Sequence, residues 1–383
     1  MSSALAPPAM AADAESQEWY LTLMKADDMW KVSDGSGIKV AVLDSGVNPN
    51  TSSLKGQVLA DETPKSASFG ATDDFDGHGT SMAEMIAGTG NGGGIKGLAP
   101  GAKIVPYQVN LGDSPDQKRT PTVVEALKAA ADSDARIINM SFSGPYRFKD
   151  EQAAVNYAFA KGKLLFASTG NDAESKNSIG YPASYDRVVG VAAADESGTV
   201  GKFSEHGGSV DLAAPGLDVL HWCDAKFTKY CTTGGTSAST AIASASAALI
   251  WSAHPGWTAN QVLRTLIDTA GRDWPKDEPS NYLGYGLIRP RLVLADSKID
   301  PGAAGADPLA LENGTAATPA SATPSVPASS QPPAKGSSGA TSAAGSSASD
   351  SGGNSQLWVV LGAVGVVVVG GGAFAALRAR RAT

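Results

Sequence analysis

Val40-Ala41-Val42-Leu43-Asp44-Ser45-Gly46 is a run of four apolar residues that ends in a carboxylate and a turn. A short apolar run bounded by turn residues fits a strand buried on both faces, as in a parallel sheet. An acid at the carboxyl end of such a strand stands where parallel α/β sheets collect their ligands. Further along come Asp76-Gly77-His78-Gly79-Thr80 and Gly234-Gly235-Thr236-Ser237. Glycines beside a histidine and before a serine let backbone come close to a bound molecule. Asp, His and Ser in this order are one of the few arrangements in which unrelated folds assemble an activated nucleophile.

The surrounding pattern is that of an α/β protein. Strand candidates are 38–43, 103–109, 136–140, 164–167 and 188–193, and helix candidates between and after them are 80–87, 123–131, 151–160, 239–253 and 258–269. Such alternation predicts a mostly parallel sheet flanked by helices. It gathers Asp44, Ser141 and Asn171 at strand ends, with His78 and Ser237 where loops enter helices. In that setting Ser237 would attack a carbonyl, His78 would take its proton, and Asp44 would hold the imidazole in the needed tautomer. Ser239 is a conceivable rival nucleophile two residues on. His254, His206 and His221 read as structural or surface residues.

These three strings resemble the subtilisin-like serine proteases. Further likeness lies in Gly97-Leu98-Ala99-Pro100, Tyr181-Pro182-Ala183, Phe203-Ser204 and Gly284-Tyr285-Gly286-Leu287, so the resemblance covers essentially residues 38–296. It implies a subtilisin-like three-layer α/β fold and a serine endopeptidase acting on peptides or proteins. It also implies an oxyanion-hole role for Asn171, and substrate binding by Ser141, Phe142, Ser143 and Gly144. Ala241 departs from the family, which usually has a proline near the start of the nucleophile's helix. No calcium loop is recognisable in Asn91-Gly92-Gly93-Gly94, so neither an essential metal nor a cofactor is expected.

Composition divides the rest of the chain. Residues 298–356, mostly Ala, Gly, Ser, Thr and Pro, read as a linker too poor in large apolar groups to offset the entropy of ordering. Residues 357–377 carry no charge and precede Arg378, Arg380 and Arg381. As a helix this run would span roughly 31 Å, against a hydrocarbon core of ~30 Å. It is expected to be a transmembrane helix with a basic cytoplasmic tail at 378–383, which puts the catalytic domain outside the cell. A buried core helix is the alternative. Residues 1–12 look like the end of a signal peptide, with Ala9-Met10-Ala11 as a small-x-small cleavage site. Outside the cell, Cys223 and Cys231 are a disulfide candidate, the alternative being two free buried thiols. The net charge of −8 argues against a nucleic-acid partner.

Within the family the arrangement is similar to the mycosins, membrane-anchored subtilases of actinobacterial type VII secretion systems. The features that carry this are Glu18-Trp19-Tyr20-Leu21 and Asp28-Met29-Trp30-Lys31-Val32 in a 13–37 extension, a catalytic domain at 38–297, the linker and the C-terminal span. The resemblance implies an extension that wraps the catalytic domain without blocking it, anchored by Trp19, Tyr20 and Trp30. It also implies a membrane secretion complex as partner. Two other readings stand beside it: a general cell-surface protease, and a mainly structural clamp. N-terminal sequencing of the native protein checks the export signal; a mature chain starting past Ala11 is expected, and one starting at Ser2 would overturn it.

Overall fold

Every residue of β1 (Lys39–Asp44) after Lys39 is buried in the computed structural model, which describes residues 14–314. Val40 and Val42 join one apolar cluster, Ala41 and Leu43 another. This double burial is why the strand reads as a continuous apolar run rather than an alternating one. Five further strands lie parallel in the same sheet: β2 (Lys103–Gln108), β3 (Ile137–Met140), β4 (Leu164–Ser168), β5 (Val189–Ala194) and β6 (Leu212–Pro215). The order is β2-β1-β3-β4-β5-β6. The chain therefore reverses its winding at β1, and the crevice beyond the carboxyl ends of β1 and β3 is the topological switch point.

Helices cover both faces. Two short ones, α1 (Trp19–Met24) and α2 (Ala26–Trp30), precede β1, and α3 (His78–Ala87) follows it. The face opposite α3 is covered by α4 (Val123–Asp132) and α5 (Lys149–Ala160). A hairpin of β7 (Val219–Trp222) and β8 (Tyr230–Thr233) leads into α6 (Thr236–Ala253), α7 (Ala259–Thr269) and α8 (Pro290–Ala295). Thr122 caps α4 and Thr258 caps α7, each in a reciprocal capping box with Glu125 and Gln261. Helix α6 is buried along nearly its whole length. Ala241, Ala243, Ala245, Ala247 and Ala248 are fully buried and keep it slim enough to lie against the sheet. It begins at Thr236, three residues before the expected 239, because the Asn171 side-chain oxygen accepts from both the Thr236 N–H and its hydroxyl, at 3.0 Å each.

Two further features differ from expectation. Strands β6, β7 and β8 have no counterpart among the expected strands: β6 is Leu-Ala-Ala-Pro, with no β-branched residue to mark it, and β8 is half-exposed. The chain also packs past 298, where composition put the linker. Leu309 is buried, Gln261 donates to the Gly302 carbonyl, and the Arg187 N–H donates to the Asn313 side chain. Averaged over the segment, composition hid these few anchoring residues. The remainder of the linker, the 357–377 run and residues 1–12 lie outside the described residues. Among the described residues, no helix is long and apolar enough to cross a membrane.

The described part of the 13–37 extension, from residue 14 on, is built into the core. Tyr20, Leu21, Met24, Ala26 and Met29 belong to the same cluster as Val40, Leu249 and Trp251. The Trp19 and Trp30 indole N–H groups donate to the Leu217 and Leu98 carbonyls at 3.0 and 2.9 Å. Tyr20 is fully enclosed and Leu23 is exposed. Tyr20→Ala should therefore lower unfolding stability by about 3 kcal/mol or more, while Leu23→Ala changes it by less than about 0.5 kcal/mol. Urea midpoints check this, and equal midpoints would show the extension to be only loosely applied.

Candidate active site

Asp44 ends β1 with its carboxylate buried, and its Oδ1 accepts from His78 Nδ1 at 2.6 Å and from the Ser45 N–H at 2.8 Å. Nδ1 of the imidazole is thus the donor nitrogen, which leaves Nε2 free as a base. The pair depends on close packing of the first turn of α3 against the end of β1. A Cβ at residue 79 would stand 2.2 Å from the Gly46 carbonyl oxygen and 2.9 Å from the Asp44 Cβ, so only glycine fits there. Asp74 locks the turn. Its Oδ1 accepts from the Ser45 hydroxyl and the Gly77 N–H, and its Oδ2 from the Thr80 N–H and hydroxyl. The Ser45 oxygen in turn accepts from the Gly79 N–H at 2.9 Å. Asp74 is not among the residues the sequence singles out, although it stands only four residues before His78.

Burial works against charge on the His78 ring, but the Asp44 carboxylate, with Asp76 and Asp74 behind it, outweighs burial and lifts the pKa to about 9. Asp76 lies beside the ring, accepts from the His78 N–H, and has its own pKa raised by burial. The His78 side chain is 38% exposed, so the base faces the cleft.

Ser237 is the second residue of α6 and lines the same cleft as His78, a space of about 340 Å³ that also takes in Asp76, Asn171, His221 and Trp222. Its hydroxyl donates to the carbonyl of Ser141, the residue that follows β3, at 2.8 Å. Because Thr236 holds the Asn171 Oδ1, the Nδ2 of Asn171 is the end left to face the cleft. That Nδ2 and the Ser237 N–H both lie close to Gly235, on the positive end of a long buried helix.

Phe142, Ser143 and Gly144 line a second cleft that shares Asn171 and Ser237 with the first. Ser141 does not line it. It is buried, and its hydroxyl donates to the Ser237 carbonyl while accepting from the Asn139 side chain. It braces the first turn of α6 from behind. Ser239 is fully buried with its hydroxyl on the Ala214 carbonyl, which takes it out of the cleft. Cys223, just past the end of β7, and Cys231 on β8 form a disulfide, with Cα atoms 5.1 Å apart. His221 was expected at the surface, yet β7 carries it into the cleft wall, where burial and nearby His78 hold its pKa low despite a Cys231 backbone contact. His254 stacks on Trp257 and His206 on Tyr282, both away from the cleft.

Residues 35–286 match the subtilase family. The chain belongs to that family. It is 32% identical over 256 residues to Subtilisin BL of Lederbergia lenta, covering 66% of this chain and 89% of the relative. It is 32% identical over 289 residues to the Minor extracellular protease Epr of Bacillus subtilis (strain 168), covering 73% of this chain but 42% of that longer protein. Among solved structures, the MycP3 protease from the type VII (ESX-3) secretion system superposes with a TM-score of 0.61 at 26% identity, covering 74% of this chain and 89% of the other. This subtilase is thus a serine endopeptidase by family, structurally close to the mycosins. NMR of the histidine ring should find the His78 imidazolium persisting well above the ordinary ~6.5, toward about 9. Asp44→Asn removes the leading upward pull, so burial then drives the pKa down. An unchanged midpoint would show that Asp44 does not control the ring.

Proposed function

We propose that Asp44, His78 and Ser237 are the catalytic triad of this subtilase and that Asn171 completes its oxyanion hole. The observation that carries this is the 2.6 Å contact of His78 with Asp44 on the wall of the cleft that Ser237 and Asn171 also line. Ser237 Oγ leaves the Ser141 carbonyl, gives its proton to His78 Nε2 and bonds to the substrate carbonyl carbon. The Asn171 amide and the Ser237 N–H donate to the oxygen as it gains charge. His78 then protonates the leaving amine as the peptide bond breaks, and water deacylates the serine by the reverse roles. Asp44 steadies the imidazolium throughout. Since the protonated ring cannot accept the serine proton, acylation should rise with pH through the His78 pKa.

A fluorophosphonate probe should label Ser237 in the wild type and in Ser239→Ala, and nothing in Ser237→Ala; a label on Ser239 would overturn the assignment. Asn171→Ala should cut kcat by roughly 10²–10³ with little change in KM, because the lost donor acts mainly on the transition state. An effect confined to KM would make Asn171 a binding residue instead.

We also propose a mycosin-type setting: a catalytic domain outside the cell, tethered through 357–377 and serving a type VII secretion membrane complex. The uncharged run before a basic tail and the built-in N-terminal extension support it. Ser237→Ala separates clipping from holding. Secretion that survives in this variant but fails on deletion of the protein assigns the clamp role; loss in both assigns proteolysis.

A further inference from the structure

The second cleft holds an acid that the triad does not use. Glu205, after the Phe203-Ser204 turn, is 5% exposed and lines a space of about 390 Å³ with Phe142, Gly170 and Ser237. Its place is created by Gly170, whose carbonyl accepts from the Glu205 N–H at 3.0 Å. A Cβ at residue 170 would fall 2.0 Å from the Glu205 Oε2, and the φ of +116° there is one that side chains rarely adopt. The Ser178 N–H reaches Oε1 only at 3.3 Å, and among the described residues Glu205 makes no ion pair. Burial, the leading cause, raises its pKa, and it prevails although the Ser178 and Asp172 backbone N–H groups and nearby His206 favour the charged form.

The rest of the lining mixes Phe142, Pro145 and glycine backbone with polar groups. Ser143, Ser168 and Ser178 contribute hydroxyls, Asp172 a second carboxylate and Lys176 one ammonium, the last two on exposed residues. A cleft meant for a bulky apolar side chain would be walled mainly by apolar groups. Here the acids outnumber the base, and the more buried acid sits beside the nucleophile's cleft. Resting on the triad reading above, we propose that Glu205 makes this cleft a pocket for a lysine or arginine side chain on the acyl side of the scissile bond. A buried carboxylate without a cation costs desolvation, and an entering ammonium or guanidinium offsets that cost with charge-assisted hydrogen bonds. A neutral side chain of equal length leaves the carboxylate unpaired.

The test measures kcat/KM of the purified full chain on peptide aminocoumarins that differ only at the residue before the scissile bond: lysine, arginine, acetyl-lysine, leucine and alanine. Lysine or arginine should exceed acetyl-lysine and leucine by at least about tenfold, a difference near 1.4 kcal/mol. In Glu205→Gln that preference should collapse while the alanine peptide is cleaved within about threefold of wild type. The lysine against acetyl-lysine comparison needs no variant, so it stands if Glu205→Gln fails to fold. Cleavage that favours leucine, or ignores the acetyl group, would overturn the pocket assignment and leave the triad intact. A folded chain that cleaves none of the peptides and takes no fluorophosphonate label would overturn the triad reading and this proposal together.

Discussion

The site depends on how closely α3 can approach the end of β1. The 2.6 Å contact between His78 and Asp44 exists because residue 79 has no side chain and Asp74 gathers the N–H groups of the turn. A helix start leaves orphan donors that need acceptors. Asp74 supplies acceptors to this one from a buried position, which fixes the turn and leaves Asp44 free to face the ring. The same economy recurs at α6. Asn171 anchors Thr236 through its oxygen, so one side chain both starts the helix and turns its amide toward the cleft. Local structure and chemistry are therefore set by the same bonds.

Where a signal is local, the sequence shows it. The double burial of β1 leaves an uninterrupted apolar run, the capping boxes of α4 and α7 lie within four residues, and a histidine between glycines stands out among only four in the chain. Other features arise from packing between distant segments and leave no such mark. Ser141 matches a substrate-binding string, yet its side chain turns inward because Asn139 and the Ser237 carbonyl lie behind it. Glu205 reads as one acid among many until Gly170, 35 positions earlier, is seen to make room for it. His221 enters the cleft wall only because β7 pairs with β8. Composition likewise cannot show that Leu309 and Asn313 tie down a stretch that is otherwise small and polar.

The N-terminal extension and the cleft are joined by one chain of contacts. Glu18 accepts from the Tyr20 hydroxyl at 2.7 Å and from the Lys96 N–H at 3.0 Å. One residue away, the Ile95 N–H reaches the Tyr230 hydroxyl, which donates to Glu84 at 3.0 Å. Glu84 lies on α3, six residues after His78, and burial lifts its pKa to about 7 even though the Tyr230 hydroxyl favours its charge. Tyr230 opens β8, next to the disulfide, and stacks against Trp222 in the cleft wall. None of the extension's described residues lines either cleft. Its contacts run instead behind the hairpin and the helix that frame the first cleft. An extension placed in this way stiffens the walls of the cleft and leaves its mouth open. That is the physical difference between a brace and a plug.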